Sequence, residues 1–139
     1  MGKFDWFWKA MGSTTERNNK KSKAVVANAH GLIEELSLLD DASLASAVAS
    51  TVRDGAIADK PRFLAGLSVA SQRTLGMTPF EVQNQAVLRL LEGDVIQMAT
   101  GEGKTLVGAM AATGFALQGK RVHLITVNNY LCLLYTSDA

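Results

Sequence analysis

The sequence predicts an α/β fold, and three observations carry the prediction. Two short segments rich in β-branched residues read as strands, at residues 94–98 (DVIQM) and 121–127 (RVHLITV). A glycine-containing turn (ATGEGKT, residues 99–105) follows the first strand. An apolar helical segment, residues 105–119, leads to the second. Strand, turn, helix and strand make a βαβ unit, whose strands should be parallel with a right-handed crossover.

Helices are predicted ahead of this unit. The first has apolar residues at helical spacing, namely Val25, Val26, Ala29, Leu32, Ile33 and Leu36. Asp40 or Asp41 is expected to cap a second helix that runs to about Arg53. Asp59 is expected to open a third, which ends at Gly76. A fourth is predicted from Phe80 to Glu92.

Composition places the chain among globular proteins. Hydrophobic residues make up 47% and charged residues 19% of its 139 residues, and no apolar run is long enough to span a bilayer. Cys132 is the only cysteine, so no internal disulfide can form and a reducing cytosolic setting is predicted.

The basic character is confined to residues 1–23, which hold six basic and two acidic side chains although the whole chain has a net charge of only +1. Phe4, Phe7, Trp8 and Met11 form one stripe of a short predicted helix in this segment. Such a helix suits an anionic membrane surface. Docking of the rings on the protein's own surface or on a partner explains the stripe equally well.

The turn carries the chemistry of a phosphate-binding loop, although the strict pattern G-x-x-x-x-G-K-[ST] has glycine where this chain has Met98. Gly101 and Gly103 free the backbone N–H groups to curl around an anion. Lys104 supplies a charge for the β and γ phosphates, and the Thr105 hydroxyl is placed to ligate Mg²⁺.

Three stretches resemble the first nucleotide-binding domain of the SecA family, the ATP-driven motors of bacterial preprotein export. They are GMTPFEVQ (residues 76–83), VIQMATGEGKTLV (95–107) and VHLITVNNYL (122–131). The resemblance implies a RecA-like, helicase-type P-loop domain, incomplete in this chain and preceded by a helical N-terminal segment. Ala99 stands where the main SecA usually has Lys, which resembles the accessory SecA paralogue of actinobacteria.

The resemblance also assigns residues to the nucleotide. ATP and Mg²⁺ are the implied cofactors, and Gln83 is implied to read the adenine edge. The implied phosphate loop consists of Gly101, Glu102, Gly103, Lys104 and Thr105, with Thr105 on Mg²⁺. The segment around Thr126, Asn128 and Asn129 is implied to couple nucleotide state to motion. Thr78 and Asn129 replace the family's Arg and Asp.

The implied parent is a protein-exporting ATPase in the cytoplasm and on the cytoplasmic face of the plasma membrane. Its implied partners are a SecYEG-type channel, unfolded preproteins and the anionic membrane surface, with no nucleic acid and with a homodimer as one state. After Thr105 the only acidic residue is Asp138, so we expect no Walker B carboxylate in this chain and no hydrolysis by it alone.

The expected organisation has four parts. Residues 1–23 form the basic amphipathic segment, residues 24–76 a helical lead-in, residues 77–131 the start of the nucleotide-binding domain, and residues 132–139 (CLLYTSDA) an anomalous tail without a functional role. Two alternatives stay open at the level of the sequence. One is a superfamily 2 nucleic-acid helicase, which shares this domain, although a nucleic-acid surface would spread basic residues more widely. The other is a non-catalytic fragment that docks on a membrane or partner.

Overall fold

The computed structural model describes residues 14–125, with side chains described from residue 18. The aromatic stripe predicted at residues 4–11, the motif at 126–129 and the tail at 132–139 lie outside the described residues. The elements are α1 (Thr14–Ser37), α2 (Asp41–Ala49), β1 (Val52–Arg53), β2 (Ala56–Ile57), α3 (Lys60–Leu75), α4 (Glu81–Leu91) and α5 (Lys104–Leu117). None of these helices has the length and hydropathy needed to cross a bilayer.

Helix α3 lies at the centre of the packing. Every residue from Phe63 to Val69 is buried, and α1 and α2 both pack against this helix. Helix α4 packs against both α1 and α5. One continuous apolar core runs from Val26 in α1 through Phe63 to Met110 in α5. The core therefore crosses residue 76, where the sequence suggested a boundary, and that division stays a prediction.

The predicted helix ends are largely confirmed. Asp40 caps α2 by accepting a hydrogen bond from the Ser43 N–H at 2.7 Å, and Asp59 caps α3 from the Arg62 N–H at 3.1 Å. Gly76 follows α3 with a φ of 65°, as a glycine at a helix C-terminus does. The hydrogen bond from the Ser43 backbone holds the pKa of the Asp40 carboxyl below its ordinary value. The ionised Asp40 carboxylate therefore stabilises the fold at pH values above its ordinary pKa. This stabilisation is lost as the pH falls through the lowered pKa of the folded protein.

The second helix is shorter than predicted. It ends at Ala49, and β1 and β2 form an antiparallel hairpin with Val52 opposite Ile57. Asp54 and Gly55 connect them, both with positive φ (52° and 72°). This is the backbone of a two-residue hairpin turn, for which Asp-Gly is a preferred sequence.

Neither predicted strand of the βαβ unit forms in the described residues. Residues 94–99 and 120–125 have no regular secondary structure, and the described fold is helical apart from the β1–β2 hairpin. Val95 is 99% exposed and Ile125 is 92% exposed. A parallel strand forms only where a neighbouring strand accepts its hydrogen bonds, and the described residues place no such neighbour beside either segment. The predicted helix between the two segments does form, as α5.

The packing of α2 on α3 predicts a stability difference between two helical glycines. A Cβ at Gly66 would overlap Val48 Cγ2 in the core, whereas a Cβ at Gly31, at an exposed position of α1, would meet nothing within 4 Å. We expect Gly66→Ala to lower the free energy of unfolding by about 1–3 kcal/mol, because the core must shift. Gly31→Ala should raise it by up to about 1 kcal/mol through helix propensity. Urea unfolding of the three proteins measures both effects, and a Gly66→Ala protein as stable as Gly31→Ala would contradict the packing.

Candidate nucleotide-phosphate site

The predicted phosphate loop lies between α4 and α5 as a tight turn. The Glu102 N–H donates to the Ala99 carbonyl at 3.3 Å. Gly101, the third residue of this turn, has a φ of 87°, the conformation that favours glycine there. Gly103 has a φ of 71° and immediately precedes the first residue of α5. The positive N-terminal end of α5 therefore faces the loop, as in anion-binding loops.

The two glycines fit the loop for different reasons. A Cβ on Gly101 would meet nothing within 4 Å, so that position is open and only its backbone conformation asks for glycine. A Cβ on Gly103 would overlap the Gln83 side-chain nitrogen. Gly103 is therefore required both by its backbone angle and by the close approach of Gln83.

Lys104 and Thr105 occupy the first turn of α5. The Lys104 side chain folds back across the loop, and its Nζ donates to the Ala99 carbonyl at 2.8 Å. Lys104 is exposed and Thr105 is half-buried. The ammonium is therefore held at the Ala99 carbonyl, a neutral acceptor that a phosphate oxygen can replace.

Gln83 links α4 to the loop. It is only 6% exposed. Its Oε1 accepts from the Phe80 N–H at 2.9 Å, and its Nε2 donates to the Glu102 carbonyl at 2.9 Å. The first bond satisfies an N–H at the start of α4, and the second ties that helix to the loop. One amide hydrogen and one lone pair of Gln83 remain, so the implied contact with adenine stays a prediction.

The structure thus brings together every loop residue that the sequence singled out, with Gln83 beside them. The motif around Thr126, Asn128 and Asn129 lies outside the described residues. Thr78, which replaces the family's Arg, donates from Oγ1 to Gln72 Oε1 at 2.7 Å. Its hydroxyl therefore contributes to the turn between α3 and α4.

Two contributors were missed from the sequence. The Ala99 peptide accepts hydrogen bonds from Glu102 and Lys104, as a backbone role that no side-chain motif reveals. Arg89 is the second. Its side chain, only 15% exposed, contacts Glu92 and Asp94 and so fixes the segment that enters the loop. The available signal was the spacing of Arg89, in the last turn of α4, from Glu92 and Asp94 just beyond its end.

A cavity of about 550 Å³ lies beside the loop, between α1, α4 and residues 94–98. Of the loop residues from Gly101 to Thr105, only Glu102 lines it. The candidate phosphate site is therefore the exposed turn, which this cavity adjoins at Glu102.

Comparison with known proteins identifies the family. The family model described as the SecA DEAD-like domain matches residues 7–134. The chain belongs to the SecA family. This confirms the family inferred from the three motifs, and the match also includes the N-terminal helices, where the motifs gave little sign of it.

The relatives are accessory SecA proteins. The chain is 59% identical over 133 residues to a protein translocase subunit SecA 2 of Corynebacterium glutamicum (strain R), covering 96% of the chain and 17% of that protein. It is 54% identical to the SecA 2 of Corynebacterium diphtheriae over 94% of the chain and 17% of that protein. The SecA 2 of Mycolicibacterium smegmatis is 47% identical over 90% of the chain and 16% of that protein. The chain thus spans about a sixth of the length of these relatives, and the paralogue indicated by Ala99 is confirmed.

SecA membership supports a RecA-like, helicase-type domain as the fold class. The described part of the chain holds helices of that domain and the candidate phosphate loop, without strands at 94–98 or 121–125.

The contact between Gln83 and Gly103 predicts a measurable energetic coupling. Gly103→Ala should be strongly destabilising because its Cβ would overlap the Gln83 amide, and Gln83→Ala should relieve part of that cost by removing the amide. We expect the two changes to be non-additive by at least ~1 kcal/mol in the free energy of unfolding.

Gly101→Ala is the matched control, because it has the same kind of backbone strain and no neighbour within 4 Å. It should combine with Gln83→Ala additively within about 0.5 kcal/mol. Equal coupling in the two cycles, measured by urea unfolding, would show that Gln83 does not approach Gly103.

Proposed function

We propose that the chain carries the phosphate loop of a SecA-type motor, which couples ATP binding and hydrolysis to the export of preproteins across the cytoplasmic membrane. One observation carries the proposal. The Ala99–Glu102 turn leads directly into α5 with Lys104 at its first residue, in a chain 59% identical to a protein translocase subunit.

The loop binds phosphate by an exchange of partners. The hydrogen bond from Lys104 to the Ala99 carbonyl is replaced by one to a β- or γ-phosphate oxygen, so a charged acceptor replaces a neutral one. The loop amides and the N-terminal end of α5 take the remaining phosphate oxygens. Because Lys104 already lies over the turn, the movement that this exchange requires is short.

Thr105 supplies the protein's ligand to Mg²⁺. When bound, the metal ion neutralises charge on the β and γ phosphates. The Thr105 hydroxyl sits one residue beyond Lys104 on the same helical turn, so a single rigid element carries both groups.

Gln83 sets the position of the base. Its amide is already anchored to the loop through the Glu102 carbonyl, so its unused hydrogen and lone pair have a fixed direction relative to the phosphate site. A donor and an acceptor on one side chain suit the edge of adenine, and we assign ATP as the nucleotide on that basis.

Hydrolysis requires groups beyond the loop. A carboxylate on a later strand and a charge-stabilising arginine complete such sites. After Thr105 this sequence offers only Asp138 as an acid and Arg121 as an arginine. Nucleotide binding without hydrolysis is therefore the activity that we assign to these 139 residues alone.

The partners follow from the proposed motor. They are a SecYEG-type channel, unfolded preproteins and the anionic cytoplasmic surface of the membrane, with residues 1–23 as the basic membrane-facing segment. A homodimer is one state of the motor. Nucleic acid is not a proposed partner, because family membership favours the translocase over the helicase alternative.

Replacement of Lys104 tests the site in this chain. Lys104→Ala should weaken ADP binding by at least about tenfold, because one charge-assisted contact to phosphate is lost. Lys120→Ala is the matched control, since Lys120 lies beyond the other end of α5, over the Phe115 ring. Fluorescence anisotropy with a labelled ADP measures both, and an unchanged affinity in Lys104→Ala would refute the loop assignment.

The same pair of variants tests the motor. In a chimera, residues 1–131 replace the matching segment of the Corynebacterium glutamicum SecA 2. We expect this chimera to hydrolyse ATP, with the activity lost in Lys104→Ala and kept in Lys120→Ala. A chimera that folds, binds ATP and yet cannot hydrolyse it would count against the proposed function.

A further inference from the structure

The Glu102 side chain makes a contact that phosphate binding does not explain. Its Oε2 accepts a hydrogen bond from the Ala99 N–H at 2.6 Å, across the turn from its own backbone. In the part of the chain that the structure describes, no cation pairs with this carboxylate. The side chain is thus committed to the loop backbone, although an acidic residue is unfavourable beside a triphosphate.

Both polar groups of Ala99 are held by residues of the phosphate loop. The Glu102 carboxylate accepts from the Ala99 N–H, and the Glu102 N–H donates to the Ala99 carbonyl at 3.3 Å. Lys104 takes the same carbonyl at 2.8 Å. The Glu102 carbonyl is in turn held by Gln83. The start and end of the turn are therefore closed on each other by Glu102.

We propose that Glu102 is a positioning residue that preforms the phosphate loop by holding the Ala99 N–H. This inference rests on the proposed function and assigns Glu102 a part in it that differs from direct contact with phosphate. A carboxylate accepting from a backbone N–H makes a strong hydrogen bond, so one side chain suffices to hold the curl of a loop rich in glycine.

The role follows from what nucleotide binding does to Lys104. When the ammonium moves to a phosphate oxygen, the Ala99 carbonyl loses its charged partner. Glu102 then remains as the residue that joins the two ends of the turn. Its carboxylate accepts from the Ala99 N–H, and its own N–H donates to the Ala99 carbonyl. The turn therefore keeps its conformation when Lys104 moves from the Ala99 carbonyl to phosphate.

Two variants separate the hydrogen bond from the charge. Glu102→Gln keeps an acceptor oxygen at the same reach and removes the charge, whereas Glu102→Ala removes both. Glu81→Ala is the control. Glu81 is an exposed acid at the start of neighbouring α4, and within the described part of the chain it makes no ion pair with a loop residue.

The first measurement needs no nucleotide. In the full 139-residue chain labelled with ¹⁵N, hydrogen exchange of the Ala99 amide should be about tenfold faster in Glu102→Ala than in the native chain. The Glu102→Gln and Glu81→Ala chains should exchange within about threefold of the native rate, because both keep an acceptor for the Ala99 N–H. Far-UV circular dichroism should be the same for all four.

The second measurement is the affinity for Mg·ADP. Glu102→Ala should lose about tenfold, and Glu102→Gln should stay within about threefold of native or bind more tightly, because it keeps the bond without the negative charge. Rescue by glutamine distinguishes a positioning role from a need for the carboxylate charge.

Two results would overturn the proposal. One is an Ala99 amide whose exchange is unchanged in Glu102→Ala, and the other is a Glu102→Gln chain that loses affinity as far as Glu102→Ala. Failure of the proposed function has a different signature. Lys104→Ala would then keep its affinity for ADP while the Ala99 amide still responded to Glu102→Ala.

Discussion

The close approach of the Gln83 amide to the Glu102–Gly103 backbone is the constraint on which the site depends. Gln83 is buried, bonds its own helix through Phe80 and bonds the loop through the Glu102 carbonyl. The approach is possible only because Gly103 has no side chain. Helix α4, the turn and the start of α5 are thereby fixed relative to one another, and Lys104 and Thr105 follow the turn with a defined geometry.

The packing of α4 and α5 in the helical core supports that arrangement. Phe63 and Leu91 lie close to Gly114 of α5, where an added Cβ would come within 3.0 Å of the Phe63 ring and 2.7 Å of Leu91. Phe63 is buried in the core and Leu91 is partly buried against it, and this packing holds α4 and α5 together at the end opposite the loop. The loop contains glycines that would leave its backbone free to move, and it is held between two helices whose packing fixes them. The Glu102 bond to Ala99 acts within that frame and closes the turn on itself.

Local signals in the sequence predicted local structure well. Asp40, Asp59 and Gly76 act where their residue types predicted, because capping depends on neighbouring backbone groups alone. The Asp54-Gly55 turn also had a local signal, which the longer helical pattern around it obscured. No strand forms at 94–98 or in the described residues 121–125, because a strand needs partners that its own residues do not specify. In the site, the motif predicted which residues gather, whereas the internal partners of Gln83, Glu102 and Lys104 depend on tertiary packing and backbone curvature.

If these residues form a phosphate site in this chain, with Gln83 as part of it, bound Mg·ADP will change their amide signals. Titration of the ¹⁵N-labelled 139-residue chain with Mg·ADP, followed through backbone and side-chain amide signals, measures this response. We expect saturable shifts at the Gln83 side chain and at residues 99–106, with little change across α2. Saturable shifts confined to other parts of the chain, or none at all, would contradict a phosphate site at these residues.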